Sequence, residues 1–360
     1  MRTAFAAACC LALAACGSEA GQAPKTVAKK EKKPLSVGDT APPLAITKWV
    51  AGTPVKAFEP GKVYVVEFWA TWCPPCIASM PHLGGLQAEY KDKGLVVVGV
   101  TSKDGNGNTE EKVDKFVAKR GKRHGYAFAF CDDDAMEKAY MEAAGQDGIP
   151  CSFVVDKAGK LAFIGHPSEL DGVIPKVLDG TWKGKADIIA LRNVDSAATE
   201  KMKEVMRTFD SNPAATLKGL TEFAKQYPIQ ARQDEFEVRV IAAEMKTKQF
   251  DEAKAGSEAL IKSGTDRYNG EILGFIASVW TAKDLNPDRK HLDLAEKAVA
   301  AILKVEGEDD VQALVTAAQT YQAMDQKEKA LGYMEKAIKS ADDPRLKDQL
   351  EAEAKKIRGK

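Results

Sequence analysis

Glu67-Phe68-Trp69-Ala70-Thr71-Trp72-Cys73-Pro74-Pro75-Cys76 decides the reading of this 360-residue chain. The run Val63-Tyr64-Val65-Val66 leads into it, and apolar residues at helical spacing, Ile77, Met80, Leu83, Leu86 and Tyr90, follow. The pattern predicts strand, tight turn and helix. Both cysteines then sit in the first helical turn, where backbone N–H groups lack partners and partial positive charge favours a thiolate. Cys73 is the expected nucleophile, with the more exposed sulfur. Cys76, three residues on and on the same helix face, is placed to attack the mixed disulfide that Cys73 forms. Pro74 and Pro75 carry no amide N–H, so two donors that could steady a thiolate are missing.

A lone Cys-x-x-Cys pair can be a redox centre or half of a zinc site. Here Pro81 lies inside the following helical segment and Ile149-Pro150 comes later in the chain. With these features, residues 36–182 resemble a thioredoxin. The Trp72-Cys73-Pro74-Pro75-Cys76 centre resembles the TlpA/ResA-like thioredoxins tethered on the outer side of bacterial membranes. The resemblance implies an α/β thioredoxin fold, a central mixed sheet flanked by helices, and thiol–disulfide oxidoreductase activity through Cys73 and Cys76. It also implies that Glu67 is a buried acid, that Pro81 kinks the active-site helix, and that Pro150 is a cis-proline lying against the cysteines. Trp72, Pro74, Pro75, Ile149 and Pro150 then shape a substrate groove. Its implied partners are protein disulfides or thiols and an upstream thiol electron donor such as a membrane reductase; no metal or organic cofactor is implied. One departure is that residues 96–100 hold no lysine, where thioredoxins often place a partner for the buried acid.

On its own residues, Glu67 interrupts Val65-Val66-Glu67-Phe68-Trp69, a run otherwise fit for a buried strand. Either its carboxyl is buried with a raised pKa, suited to relaying a proton to or from Cys76, or its side chain reaches solvent or a lysine. Of the seven cysteines, Cys9, Cys10 and Cys16 fall in the N-terminal segment, and Cys131 and Cys151 remain to be placed. With Cys73 and Cys76 they could form a four-thiolate zinc site, but zinc sites usually show two close pairs and this chain has one. Cys151 reads as a buried structural thiol, a partner for Cys131, or a third redox cysteine. The four histidines, His82, His124, His166 and His291, show no ligand spacing.

Residues 1–16 read as a targeting segment. Arg2 precedes an apolar stretch from Ala4 to Ala15, shorter than the roughly 20 residues of a membrane-spanning helix. Leu13-Ala14-Ala15-Cys16 resembles a bacterial lipobox, which implies lipidation at Cys16; an ordinary secretory signal with a chance cysteine is the alternative. Either reading exports the chain, and the first places it on the periplasm-facing side of the cell envelope, tethered to a membrane. Residues 17–36 are small and basic and read as a disordered tether with a reach of roughly 25 Å. Its lysines could also lie against anionic headgroups.

Within the thioredoxin-like segment, 37–182, strands are expected at 63–69, 95–100, 126–130, 152–155 and 161–164. Helices are expected after Cys73 and near 110–120, 135–144 and 170–178. Asp156-Lys157-Ala158-Gly159 is turn chemistry and predicts an antiparallel hairpin. Residues 186–360 are rich in Ala, Glu, Lys and Leu at helical periodicity. The best internal repeat is 314–338, with Ala318 and Tyr321 on one helix and Ala330, Met334 and Ala337 on the next. This spacing resembles a tetratricopeptide repeat, with weaker echoes at Ala253 and Ala295 and an insertion at 284–291; a non-repeating helical bundle is the alternative.

The 52 Lys+Arg balance the 52 Asp+Glu, so no global field points to nucleic acid, and no phosphate loop or dinucleotide fingerprint occurs. The sequence therefore points to an exported, membrane-tethered thiol–disulfide oxidoreductase, with reductase favoured by the resemblance. A disulfide-donating oxidase stays open, as does a helical scaffold for a protein partner with a regulatory redox centre.

Overall fold

The computed structural model describes residues 33–286 and 288–359. The expected signal segment with Cys16, and residues 17–32 of the expected tether, lie outside the described residues.

Strand β1 (Lys48–Ala51) precedes β2 (Val63–Phe68), which feeds helix α1 (Pro74–Tyr90). Then come β3 (Leu95–Ser102), α2 (Glu110–Lys119), β4 (Ala127–Cys131), β5 (Cys151–Val155), β6 (Leu161–Gly165) and α3 (Leu170–Asp179). The six strands form one mixed sheet in the order β1-β4-β3-β2-β5-β6. Strand β3 runs parallel to β2 and to β4, while the β1–β4, β2–β5 and β5–β6 pairs are antiparallel. This is the α/β thioredoxin fold. Central strands carry near-continuous apolar runs because both faces are covered.

The period-two alternation of β2 divides the core. Val63, Val65 and Trp69 join a cluster with Met80, Leu83 and Leu86 of α1. Tyr64, Val66 and Phe68 join a second cluster with Met136, Tyr140 and Phe153 on the opposite face. Fully burying such a side chain stabilises the fold by roughly 1.5–3 kcal/mol. Glu67, by the same alternation, falls on the face that α1 covers.

The helix expected near 135–144 is instead mostly a π-helical turn, Glu137–Glu142. Met136, Tyr140 and Met141 are all buried, and the wider turn brings this four-then-one spacing onto one side. The 156–159 hairpin turn is as expected: Asp156 Oδ1 accepts from the N–H groups of Ala158 and Lys160, and Gly159 has φ +77°.

Among the described residues nine α-helices follow: α4 (Lys185–Met206), α5 (Pro213–Gln226), α6 (Asp234–Lys246), α7 (Phe250–Asp266), α8 (Gly270–Thr281), α9 (Leu292–Glu306), α10 (Val311–Ala323), α11 (Lys327–Ser340) and α12 (Pro344–Arg358). Ala253, Ala295, Ala298, Ala330 and Ala337 are fully buried in their shared core, where small side chains let helices approach closely. Residues 282–286 and 288–291 lie in the connection between α8 and α9. Buried Asn286 closes it by donating to the Trp280 and Lys290 carbonyls and accepting from the Lys290 N–H. None of the described helices is long and apolar enough to cross a membrane.

From Pro34 onward the chain is one compact unit, and a charged seam joins the sheet portion to the helical array. The short 3-10 turn Gly121–His124 packs against α1 so closely that a Cβ on Gly84 would lie 2.7 Å from the His124 carbonyl oxygen. From the same region Arg120 reaches Asp310 at 2.5 Å and Arg123 reaches Glu306 at 2.8 Å. The Arg123 guanidinium also sits 5.3 Å from the Tyr268 ring centroid. The redox helix, the 3-10 turn and the array are thus stacked in sequence.

Candidate active site

Strand β2 delivers the chain into the Trp69–Trp72 turn, and Cys73 caps α1 in an extended conformation, φ −101° and ψ 95°. Pro74 and Pro75 occupy the first two helical positions, where a missing N–H leaves no hydrogen bond unmade. The first amide after them belongs to Cys76, and it donates to Cys73 Sγ at 3.2 Å. The expected helix-terminus donor is therefore present, reduced to one. Cys73 and Cys76 are joined by a disulfide.

The two sulfurs differ less in exposure than expected. Cys73 is 3% exposed and Cys76 1%, because Cys73 also packs into the apolar cluster of Trp69 and Ala70, with Ile149 against it. The expected exposed sulfur is nearly closed off. The Ile149–Pro150 peptide is cis, and the Ile149 carbonyl oxygen lies 3.8 Å from Cys73 Sγ. Pro74 and Pro75 are exposed and Trp72 is 44% exposed, so the surface around Cys73 is open although the sulfur is not.

A polar network behind the turn was not legible in the sequence. Asn108, fully buried, accepts from the Thr71 N–H and hydroxyl and donates to Thr101 Oγ1 and the Ser102 carbonyl. Thr101 in turn donates to the Trp69 carbonyl. Asp104 receives the Trp72 indole N–H at 2.6 Å and the Asn108 N–H at 2.9 Å. Asp104-Gly105-Asn106-Gly107-Asn108 carried a turn signal, but nothing local tied it to the cysteine turn.

Glu67 is buried, and its neighbours in the sheet are Gly99 on β3 and Ser152 on β5. Oε2 accepts from the Ser152 hydroxyl, while Oε1 has no hydrogen-bond partner. Burial pushes the carboxyl up to about 8, and the Ser152 bond pulls the other way. Of the two sequence alternatives for Glu67, the structure has the buried carboxyl. Trp69 Nε1 is likewise buried without a partner, and a Cβ on Gly99 would lie 3.2 Å from it. A carboxyl with this pKa can hold or release a proton near neutral pH.

The redoxin family profile matches residues 36–177. Protein FixW of Rhizobium leguminosarum is 30% identical over 152 residues, 41% of this chain and 69% of that one. Thiol-disulfide oxidoreductase ResA of Bacillus thuringiensis (strain Al Hakam) is 28% identical over 152 residues, 41% of this chain and 82% of that one. This chain belongs to the redoxin family of thiol–disulfide oxidoreductases. A solved thiol:disulfide interchange protein of the thioredoxin family from Chlorobium tepidum TLS is 25% identical, with a TM-score of 0.32, covering 39% of this chain and 96% of its own.

In this redoxin the remaining thiols stand apart from the centre. Cys131 on β4 and Cys151 on β5 are free, buried, and separated in the sheet by β3 and β2. Three strand spacings put them roughly 14 Å apart, beyond disulfide reach. The four cysteines therefore do not converge on one point. Burial pushes Cys131 up to about 11 and Cys151 up to about 12, so both are poor nucleophiles. The family match ends within α3, so α4 to α12 lie beyond it.

Proposed function

We propose that this redoxin is an exported, lipid-anchored protein-disulfide reductase. In its reduced form the Cys73 thiolate attacks one sulfur of a substrate disulfide. That S–S bond breaks, the other substrate sulfur leaves as a thiolate and takes up a proton, and Cys73 is left in a mixed disulfide. Glu67, in the fraction of molecules in which it is ionised, takes the Cys76 proton, and Cys76 attacks Cys73 Sγ; the second substrate sulfur leaves as a thiolate that takes up a proton, and the Cys73–Cys76 disulfide closes. Two electrons pass from the cysteine pair to the substrate, and an upstream thiol protein must return them. Trp72, Pro74, Pro75, Ile149 and Pro150 frame the approach. The observation that carries this reading is the Cys76 N–H aimed at Cys73 Sγ at the start of α1, beside the Ile149 carbonyl. Anchoring and a periplasm-facing location rest on the Leu13-Ala14-Ala15-Cys16 pattern.

One preparation tests both parts. Wild type and Cys16→Ala are expressed, fractionated and equilibrated in thiol buffers of graded poise. The wild type should sediment with membranes and the variant should not; equal sedimentation removes the anchor. A potential near that of thioredoxin, about −270 mV, supports a reductase. A value of about −120 mV makes the protein a donor of disulfides instead. A pair that fails to cycle ends the enzymatic reading and leaves the helical array as the working part.

A further inference from the structure

Two clefts share a wall. One, about 500 Å³, opens beside the cysteines, where Thr71, Trp72 and Pro74 of the redox turn face Tyr268 and Glu271 of the helical array. The second, about 610 Å³, follows α8 and α10, between Gly274, Phe275 and Ser278 on one side and Gln312, Thr316 and Gln319 on the other. Arg120, Gly270, Glu271 and Glu306 line both, which makes them one continuous trough.

Its lining is selective. Among the described residues, the large hydrophobic side chains left exposed include three aromatics, Trp72, Tyr268 (37%) and Phe275 (42%), and all three line this trough. Exposed aromatics gathered in a cleft are the side chains that most often dominate binding. Tyr268 is held in a left-handed backbone, φ 57°, that a bulky residue adopts only at a cost, and its ring is fixed beneath the Arg123 guanidinium. Glu306 and Asp310 are paired with Arg120 and Arg123, which leaves Glu271 as the lining charge with no ion pair among the described residues and keeps the trough's net field small. The Gln312 and Gln319 amides suit a peptide backbone, and a Cβ on Gly274 would meet only Thr316 Cγ2 at 3.8 Å, so a chain can lie close to α8 there. Between Gly270 and Ser278, α8 rises about 12 Å, the reach of about four extended residues.

We propose that this trough holds an extended, uncharged segment of the substrate polypeptide next to its reacting cysteine, with an apolar side chain of that segment seated against Tyr268 and Phe275. The helical array then supplies one wall of the substrate site. This rests on the oxidoreductase reading above, which already takes a protein disulfide, and adds where the chain flanking the reacting cysteine lies and which side chains it must carry. A small disulfide would occupy only the cleft beside Trp72.

The test compares two disulfides with the reduced, detergent-extracted protein: oxidised glutathione, and the symmetric disulfide of an uncharged nine-residue peptide with leucines three residues either side of its cysteine. Each turnover oxidises the Cys73–Cys76 dithiol and reduces one probe disulfide to two thiols, and a reducing thiol protein in excess, whose background reaction with each probe is subtracted, restores the dithiol between turnovers. In the wild type the peptide should be favoured in kcat/KM. Phe275→Ala with Tyr268→Ala should lower the peptide-to-glutathione ratio about tenfold through KM, and replacing the peptide leucines by serine should do the same. Gly274→Trp, which grows into the trough, should lower it too. A ratio unmoved by all of these overturns the proposal while leaving the oxidoreductase intact. No exchange with either probe in the wild type overturns it together with the reading it rests on.

Discussion

Burial holds the Glu67 carboxyl at about 8 against an ordinary value of 4.5, so the folded chain keeps a proton that the unfolded chain has already lost. Stability contributed by this group is therefore full below about 4.5 and is lost as the pH rises through 8, with a ceiling of about 5 kcal/mol. Glu67→Gln should leave the melting temperature of the oxidised protein nearly unchanged at pH 4.5 and raise it at pH 8.5; a gap that does not widen with pH would show that this carboxyl is not buried and neutral. The same variant should flatten the pH dependence of thiol–disulfide exchange if the carboxylate relays the Cys76 proton. That Glu67 could be buried was legible, because its neighbours Val65, Val66, Phe68 and Trp69 leave no polar face to turn it toward. Its partner was not. Ser152 is 85 positions away, and only the β2–β5 register brings the two together. The resemblance placed Ile149-Pro150 beside the cysteines, but how far Trp69, Ala70 and Ile149 together cover Cys73 follows only from the folded packing.

Helix α1 shows what an element encodes about itself and what it leaves to its neighbours. Its start was legible in Cys73-Pro74-Pro75-Cys76 and its buried face in Met80, Leu83, Leu86 and Tyr90. Gly84 and Gly85 gave no hint that they differ. A Cβ on Gly84 would sit 2.7 Å from the His124 carbonyl oxygen, while one on Gly85 would meet only Arg267 Cδ at 3.8 Å. Gly84→Ala should therefore destabilise by about 1–3 kcal/mol through a forced shift of the backbone. Gly85→Ala should be neutral or stabilising by up to about 1 kcal/mol, because alanine is the better helix former. Denaturant titration of the two variants separates them, and equal effects would mean that the helix and the 3-10 turn are not in contact there. The π-helical turn at Glu137–Glu142 was read as ordinary helix because the windings share their apolar residues and differ only in which backbone carbonyl each N–H reaches.

At the scale of the molecule, the alternation of strand and helix up to Asp179 and the helical periodicity beyond it were enough to separate the two kinds of architecture. Their contact was not, because single charged residues in amphipathic segments look like any solvated face. Glu306 shows the difference: it takes both Arg120 and Arg123 while remaining only 15% exposed in its side chain. Glu306→Gln leaves two half-hidden guanidinium groups without their shared carboxylate and should cost about 1–3 kcal/mol. The change should lower the melting temperature and speed tryptic cleavage at Lys183, in the connection between α3 and α4; a variant that melts and is cut like the wild type would show that the seam does not hold the halves together. The seam also bears on heredity. Residues 180–184 are, by local structure, the easiest place in the chain for recombination to exchange one tail for another. With the arginines on one side of that point and the acids on the other, they are also where an exchanged tail must bring a matching charge pattern of its own.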